Sequence, residues 1–280
     1  MPSTRRTRHG IAGLIFLALF STTALAEGLV LTAPPRESPA AGAKLYGPLA
    51  EALSHLLGKQ VRYEHPQNWL RYQRNMRQDA YDIVFDGPHF ASWRMAHLGH
   101  RVVAKLPGTL EFYLLREKDN PDVQTPEDLI GRKICGISPP NLSTLSVLAR
   151  FDNPVRQPII LGIRGGMGKV YKRFRSGSCD ALVLRTTFYK KKLKPEDRAG
   201  LAIIYRTPPL PNQVITVSKR LSPAEARQMA AALTRSGPVQ EASLPIVRRF
   251  GGKKAKSFVK ATQAEYEGHN RFLEGVIFGW

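Results

Sequence analysis

The sequence predicts an α/β protein of two lobes, each a doubly wound, mostly parallel sheet with flanking helices. Three observations carry that reading. Short apolar runs alternate with amphipathic helical stretches from Gly28 to Ala96, which covers a sheet on both faces. The same alternation starts again near Thr125. Stiff joints separate the two series, at Pro107-Gly108 and at Pro208-Pro209-Leu210-Pro211-Asn212.

Residues 1–26 read as an export signal. Arg5, Arg6 and Arg8 form a basic start, Ile11 to Phe20 an apolar core too short to span a bilayer, and Ala24-Leu25-Ala26 a cleavage site. No Cys follows, so no lipid anchor is expected there, and Arg5-Arg6 lacks the apolar followers of a twin-arginine signal. The mature chain is expected to start near Glu27 and to be soluble.

Gly28 to Thr32 is a first strand, ended by the proline-rich loop Ala33 to Pro39, so Arg36 follows a strand's carboxyl end. A helix comes next, with Leu45, Leu49, Leu53 and Leu57 on one face and Gly58 as its stop. Pro48 should kink its first turn or mark its true start. Val61-Arg62-Tyr63 is a second strand, and Trp69, Leu70, Gln73 and Met76 keep helical spacing. Tyr81 to Phe85 is a third strand, and Gly87-Pro88 ends it and opens a helix carrying Phe90, Trp93 and Ala96. Asp86 and His89 thus stand where a strand's carboxyl end meets a helix start. In open α/β sheets ligands bind in that crevice. The competing reading is an Asp in a turn and a capping or solvent-facing His.

Arg101 to Lys105 and Leu110 to Leu115 are further strands. Thr125-Pro126-Glu127-Asp128 opens a short helix, Lys133 to Ile137 is a strand, and Leu142 to Ala149 is a helix with Ser143 and Thr144 in its first turn. Pro158 to Ile163 is a strand, and Met167, Val170, Tyr171 and Phe174 mark a helix that stops at Gly177. Ala181 to Leu184 is a strand that delivers Arg185 at its carboxyl end. Leu201 to Tyr205 and Val214 to Val217 flank the second proline joint. Ser222-Pro223-Ala224-Glu225 is a capping box for a helix burying Ala226, Met229 and Leu233. A last amphipathic helix should run through Tyr266, Phe272 and Leu273.

Formal net charge is +20, and removing the leader's three arginines leaves +17. Lys190 to Lys194 is the densest basic patch. In an exported chain without aromatic–basic interleaving, this balance favours anionic solutes or an anionic membrane surface over nucleic acid. The two cysteines, Cys135 and Cys179, suggest one disulfide, against two small buried thiols. They fall on neighbouring strands if the second sheet has a 2-1-3 order.

Enzyme chemistry finds no support. The seven His show no HExxH and no close pair, so no metal is expected. No GxSxG occurs, and neither Cys lies in a nucleophile motif. Gly162 to Lys169 lacks the first Gly and the hydroxyl residue of a phosphate loop. Its Gly-rich turn still offers N–H groups to an anion at a helix start, a simple tight turn being the alternative. Ser138, Asn141, Ser143 and Thr144 form a stronger group, because hydroxyls and free N–H donors at one helix start hold an oxyanion. Ordinary capping is the alternative there. Arg185 shares that sheet edge in a right-handed β-α-β unit, and is expected to converge with Ser143 and Thr144 on one anion.

Several stretches have a familiar order: Tyr46-Gly47-Pro48-Leu49-Ala50-Glu51-Ala52-Leu53, Tyr81-Asp82-Ile83 with Gly87-Pro88, Asp128-Leu129-Ile130-Gly131-Arg132-Lys133, Ser143-Thr144, Gly177-Ser178-Cys179-Asp180-Ala181 and Pro208 to Asn212. In these the chain resembles the PhnD-like phosphate/phosphonate substrate-binding proteins of ABC transporters, a group of type II periplasmic binding proteins. The resemblance implies the two-lobed type II fold, a periplasmic location, and a small anionic ligand clamped between lobes. It also implies an ABC permease and ATPase as partners. Three departures stand out. The family's Ser/Thr-rich run is reduced to Asn141-Leu142-Ser143-Thr144-Leu145, Met167 stands where many relatives have a His, and Arg185 where relatives often carry an acid. An arginine engages a carboxylate, a sulfonate or a second phosphate oxygen bidentately.

The expected lobes are residues 27–107 with 212–280, and 108–211, closing about a hinge. The expected ligand contacts are Arg36, Asp86, His89, Ser138, Asn141, Ser143, Thr144 and Arg185. The chain should act as a monomer, without cofactor, catalytic residue or nucleic acid. The alternative is a sensory or accessory periplasmic module that presents its ligand to a receptor or enzyme system.

Overall fold

The computed structural model describes residues 28–151 and 153–274. The export signal expected over residues 1–26 lies outside them. Two sheets and a two-stranded ribbon organise the described chain. The first sheet takes β1 (Leu29–Thr32), β2 (Val61–Tyr63), β3 (Ile83–Asp86) and β4 (Arg101–Lys105). The chain then leaves through β5 (Thr109–Leu110) for the second sheet. That sheet holds β6 (Phe112–Glu117), β7 (Lys133–Ile137), β8 (Ile159–Ile163), β9 (Ala181–Arg185) and β10 (Leu201–Arg206). The return runs through β11 (Leu210–Pro211) and adds β12 (Val214–Val217) and β13 (Val259–Lys260) to the first sheet.

The strand orders are β13-β4-β12-β3-β1-β2 and β10-β6-β9-β7-β8. Parallel pairing holds within β2-β1-β3 and within β8-β7-β9, where helices make the crossovers. β12 and β13 in the first sheet and β6 in the second are reversed, while the other four strands of each sheet run one way, so both are mostly parallel in direction with antiparallel insertions. The cause is connectivity: β12 enters from the second sheet and inserts between β3 and β4 with reversed direction. Asp82 pins this insertion. Its carboxylate accepts from Val30 N, Ser218 Oγ and Arg220 Nη1, each at 2.9 Å.

The first long helix spans Pro39–Leu57 and runs through Pro48 without starting there. Ser38 caps it with Pro39 in the first turn, and Gly58 ends it at φ 61°. Its face of Tyr46, Leu49 and Leu53 is buried against the first sheet, which outweighs the N–H that Pro48 lacks. The strand expected over Leu110 to Leu115 is divided at Glu111 into β5 and β6. Four helices match expectation closely: Trp69–Arg77, Pro88–Leu98, Met167–Arg175 and Pro223–Thr234. A further helix in the tail, Pro238–Gly251, lies between the two expected there, and Ile246 and Val247 bury it in the first core. The expected last helix is instead turns followed by Arg271–Glu274, because Gly268 takes φ 75° and breaks it.

A second apolar cluster joins the two halves. Val84, Phe90 and Trp93 from the first pack with Phe112, Leu142 and Leu145 from the second, and Phe272 and Leu273 belong to the same cluster. The second sheet is also stapled internally by the disulfide Cys135–Cys179, between β7 and the start of β9, with Cα atoms 5.7 Å apart. Replacing both cysteines by alanine should lower stability by about 3–4 kcal/mol, through a less constrained unfolded chain. Denaturant titration of the paired variant against the oxidised protein measures this. Equal midpoints, or two thiols titrating in the denatured unreduced protein, would contradict it.

Candidate functional site

A cavity of about 260 Å³ opens between the two sheets. Strand carboxyl ends and the loops after them build it. Arg36 comes after β1, Gly87 and His89 after β3, Pro140 and Asn141 after β7, Gly166 and Met167 after β8, and Arg185 ends β9. Gln213 enters just before β12. Apolar walls come from Trp69, Phe90, Leu110, Phe112, Ile137 and Leu142. A wider groove of about 440 Å³ follows β4 and the helix Pro223–Thr234, but it draws no residue from the second sheet.

Arg36 donates from Nη1 to Gln213 Oε1 at 3.0 Å, and its guanidinium lies 4.5 Å from the centroid of the Phe250 ring. Its Nε and Nη2 are buried without a hydrogen-bond partner. Arg185 likewise has a buried, unpartnered Nε. Burial lowers the Arg185 pKa, and no acid offsets it. Desolvating a cation without a counter-charge is costly, and an anion between these side chains would remove that cost. Arg185 therefore does not belong to the exposed lysines Lys190, Lys191 and Lys192, although it caps the helix Thr186–Lys192 that carries them.

His89 is buried, and its Nε2 lies 3.0 Å from the Pro140 carbonyl oxygen. A carbonyl only accepts, so Nε2 carries the proton and donates across the gap between the two halves. Burial pulls the pKa of His89 down to about 4, so the ring is neutral at pH 7 and Nδ1 is an acceptor. That Nδ1 is buried and unpartnered. A Cβ at position 87 would meet the ring at 2.7 Å from Cε1 and 2.9 Å from Nδ1, which is why a glycine precedes the helix there.

Asp86 does not line the cavity. It is fully buried and paired with Arg94, Nη1 to Oδ2 at 2.7 Å and Nη2 to Oδ1 at 2.8 Å. Tyr72 Oη donates to the same carboxylate, and Arg94 also donates to Thr216 Oγ1 at 3.0 and 3.2 Å. Burial opposes the charge on Arg94, but Asp86 and Tyr72 outweigh it and the net direction of its pKa is up. The expectation of Asp86 as a ligand contact gives way to a structural knot.

Ser143 and Thr144 are also turned inward. Ser143 Oγ donates to Asn141 Oδ1 at 2.7 Å and Thr144 Oγ1 to the Ile137 carbonyl at 2.6 Å. Neither lines the cavity, and Ser138, half-buried beside Gly162, does not either. Asn141 is the member of that group at the wall, where its Oδ1 also caps Ser143 N at 3.0 Å. So Arg36, His89, Asn141 and Arg185 meet in one place, and Asp86, Ser138, Ser143 and Thr144 stand behind it. Sequence reasoning missed Gln213 and the walls from Trp69, Phe90 and Phe112. Trp69 and Phe90 keep helical spacing, and nothing in the local pattern shows that those faces end at a cavity.

Two α/β sheets joined by two crossings, with a cleft at their strand ends, define a type II periplasmic-binding-protein fold. The chain belongs to the family described as "ABC transporter, phosphonate, periplasmic substrate-binding protein", matched over residues 31–266. Its role is thus that of a solute-binding protein of a periplasmic family. Comparison with curated protein sequences gives no match. Among solved structures, XAC2383 from Xanthomonas citri, bound to ATP, superposes with a TM-score of 0.67 at 14% identity, over 87% of this chain and 94% of that one. PhnD1 from Prochlorococcus marinus, in complex with methylphosphonate, gives 0.61 at 17% identity, over 87% and 96%. A binding component of a Pseudomonas aeruginosa ABC phosphonate transporter gives 0.56 at 14%, over 85% and 82%. At these identities the likeness is one of fold.

Proposed function

We propose that the protein captures a small oxyanion of the phosphate or phosphonate kind in the periplasm and delivers it to an ABC permease and its ATPase. The observation that supports this most is the pair Arg36 and Arg185, which line one cleft with buried, unpaired donors. In this reading residues 1–26 direct export and are removed, and the protein works as a monomer with no catalytic role. Residues 27–107 with 212–280 form one lobe and 108–211 the other.

Closure would turn on the two crossings. Support comes from their contact with each other: β5 pairs with β11, and Asn212 Nδ2 donates to the Pro107 carbonyl at 2.8 Å. Adjacent crossings make one narrow joint rather than two independent tethers. Small-angle scattering during titration with inorganic phosphate and methylphosphonate, paired with calorimetry, tests the reading. A radius of gyration that falls as heat saturates is expected. An unchanged radius at proven saturation would mean a rigid module, and no heat with any oxyanion would sink the anion reading itself.

A further inference from the structure

From the cavity lining we infer that the preferred ligand is an organic oxyanion with a flat apolar body and no cationic group, a narrower class than compact oxyanions or amino-substituted ones. This rests on the anion-cleft reading above. The first ground is charge. The lining residues include two arginines and no Asp or Glu. Asp86, the nearby acid after β3, is spent on Arg94 and lies behind the wall. An ammonium group on the ligand would find no carboxylate among the lining residues, Glu37 beside Arg36 lying outside them, and would face two guanidinium groups, which is unfavourable in a site of low dielectric.

The second ground is size and polarity. The cavity of about 260 Å³ has room for more than a compact oxyanion. Methylphosphonate brings five heavy atoms, a phenyl-substituted phosphonate ten. A compact oxyanion held by the arginines would leave the remaining space against side chains that do not hydrate well. Trp69 and Phe90 line one part, with ring centroids 6.0 Å apart and planes 23° from parallel. Phe112, Leu142 and Met167 line another. Flat apolar groups gain from such walls both by burial and by aromatic stacking.

The third ground is the unpartnered, buried Nδ1 of His89 at the edge shared with Gly87. As an acceptor on a neutral ring it takes a hydrogen bond from a protonated oxygen, such as the P–OH of a phosphonate monoanion. The two arginines take the ionised oxygens. One acid group thereby satisfies donors and an acceptor together, and the body of the molecule is left to the aromatic wall.

Calorimetry with phenylphosphonate, methylphosphonate and 2-aminoethylphosphonate on the wild-type protein decides the matter. Phenylphosphonate should bind at least tenfold more tightly than methylphosphonate, and the amino compound more weakly than either. Trp69→Ala, checked for folding by its thermal melt, should bring the phenyl-to-methyl ratio down several-fold. If methylphosphonate binds as well as phenylphosphonate, or the amino compound binds best, this inference falls while the anion cleft stands. Binding of none of the three, nor of phosphate, benzoate or benzenesulfonate, overturns the cleft reading and this one together. A Trp69→Ala protein that folds and keeps the wild-type ratio overturns the aromatic wall.

Discussion

Asp86→Ala should destabilise the protein by about 3–5 kcal/mol, enough to consume much of an ordinary folding free energy of roughly 5–15 kcal/mol. The substitution leaves Arg94 charged, 1% exposed and without its carboxylate, in a place where water does not reach. Tyr72 and Thr216 cannot replace the lost charge. Arg94→Ala should cost a similar amount by stranding Asp86. Replacing both together, as Asp86→Leu with Arg94→Met, should recover a large part of the loss, because no isolated charge remains. Denaturant midpoints for the two single variants and the double variant form the test. If Asp86→Ala melts like wild type yet fails to bind anions, Asp86 is a ligand contact after all and the structural knot is misread.

Arg185→Ala should act in the opposite way, weakening anion binding by roughly tenfold to more than a hundredfold while leaving stability unchanged or slightly raised. A charge-assisted hydrogen bond to a buried anion contributes about 1.5–3 kcal/mol. Without a counter-charge the same guanidinium is a burden, since burial lowers its pKa and no acid compensates. Arg36→Ala should weaken binding similarly, although loss of its stacking on Phe250 adds some cost in stability. Ser143→Ala should scarcely affect affinity, its hydroxyl being held by Asn141. Calorimetry with one oxyanion across these variants separates the roles. Wild-type affinity in Arg185→Ala would remove the cleft's central residue.

The sequence carried the strands and most of the helices because their signals are local. Ile83-Val84-Phe85 followed by Gly87-Pro88 needs no distant partner to be read as a strand and a helix start. Arg36 and Arg185 were legible for the same reason: each follows an apolar strand, and strand ends point to the crevice. Asp86 meets the same positional rule and still does not line the cavity, because Arg94, two turns along the next helix, reaches back to it. Both residues are plain in the sequence, but a basic residue inside a helix does not announce that it faces inward. Ser143 and Thr144 show the complementary limit. A hydroxyl at a helix start serves a ligand or its own backbone, and the choice depends on which way the neighbouring strand turns the helix. Gln213 carries no local signal, because it sits between the proline joint and β12. The helix Pro238–Gly251 was hidden by Pro245, whose missing N–H is outweighed by the buried face of Ile246 and Val247.

The position of β12 also bears on how such a chain comes to be folded. β12 lies between β3 and β4, yet it is made only after the whole second sheet. As the chain is made from its amino end, β4 has nothing to pair with on that side until Val214–Val217 has been added. The second sheet, whose strands all fall between Phe112 and Arg206, is contiguous and can assemble first. The half that begins the chain is then the last to be completed. A chain that stops before residue 214 would leave β3 with an open edge and β4 unpaired on both sides, a substrate for chaperones and proteases.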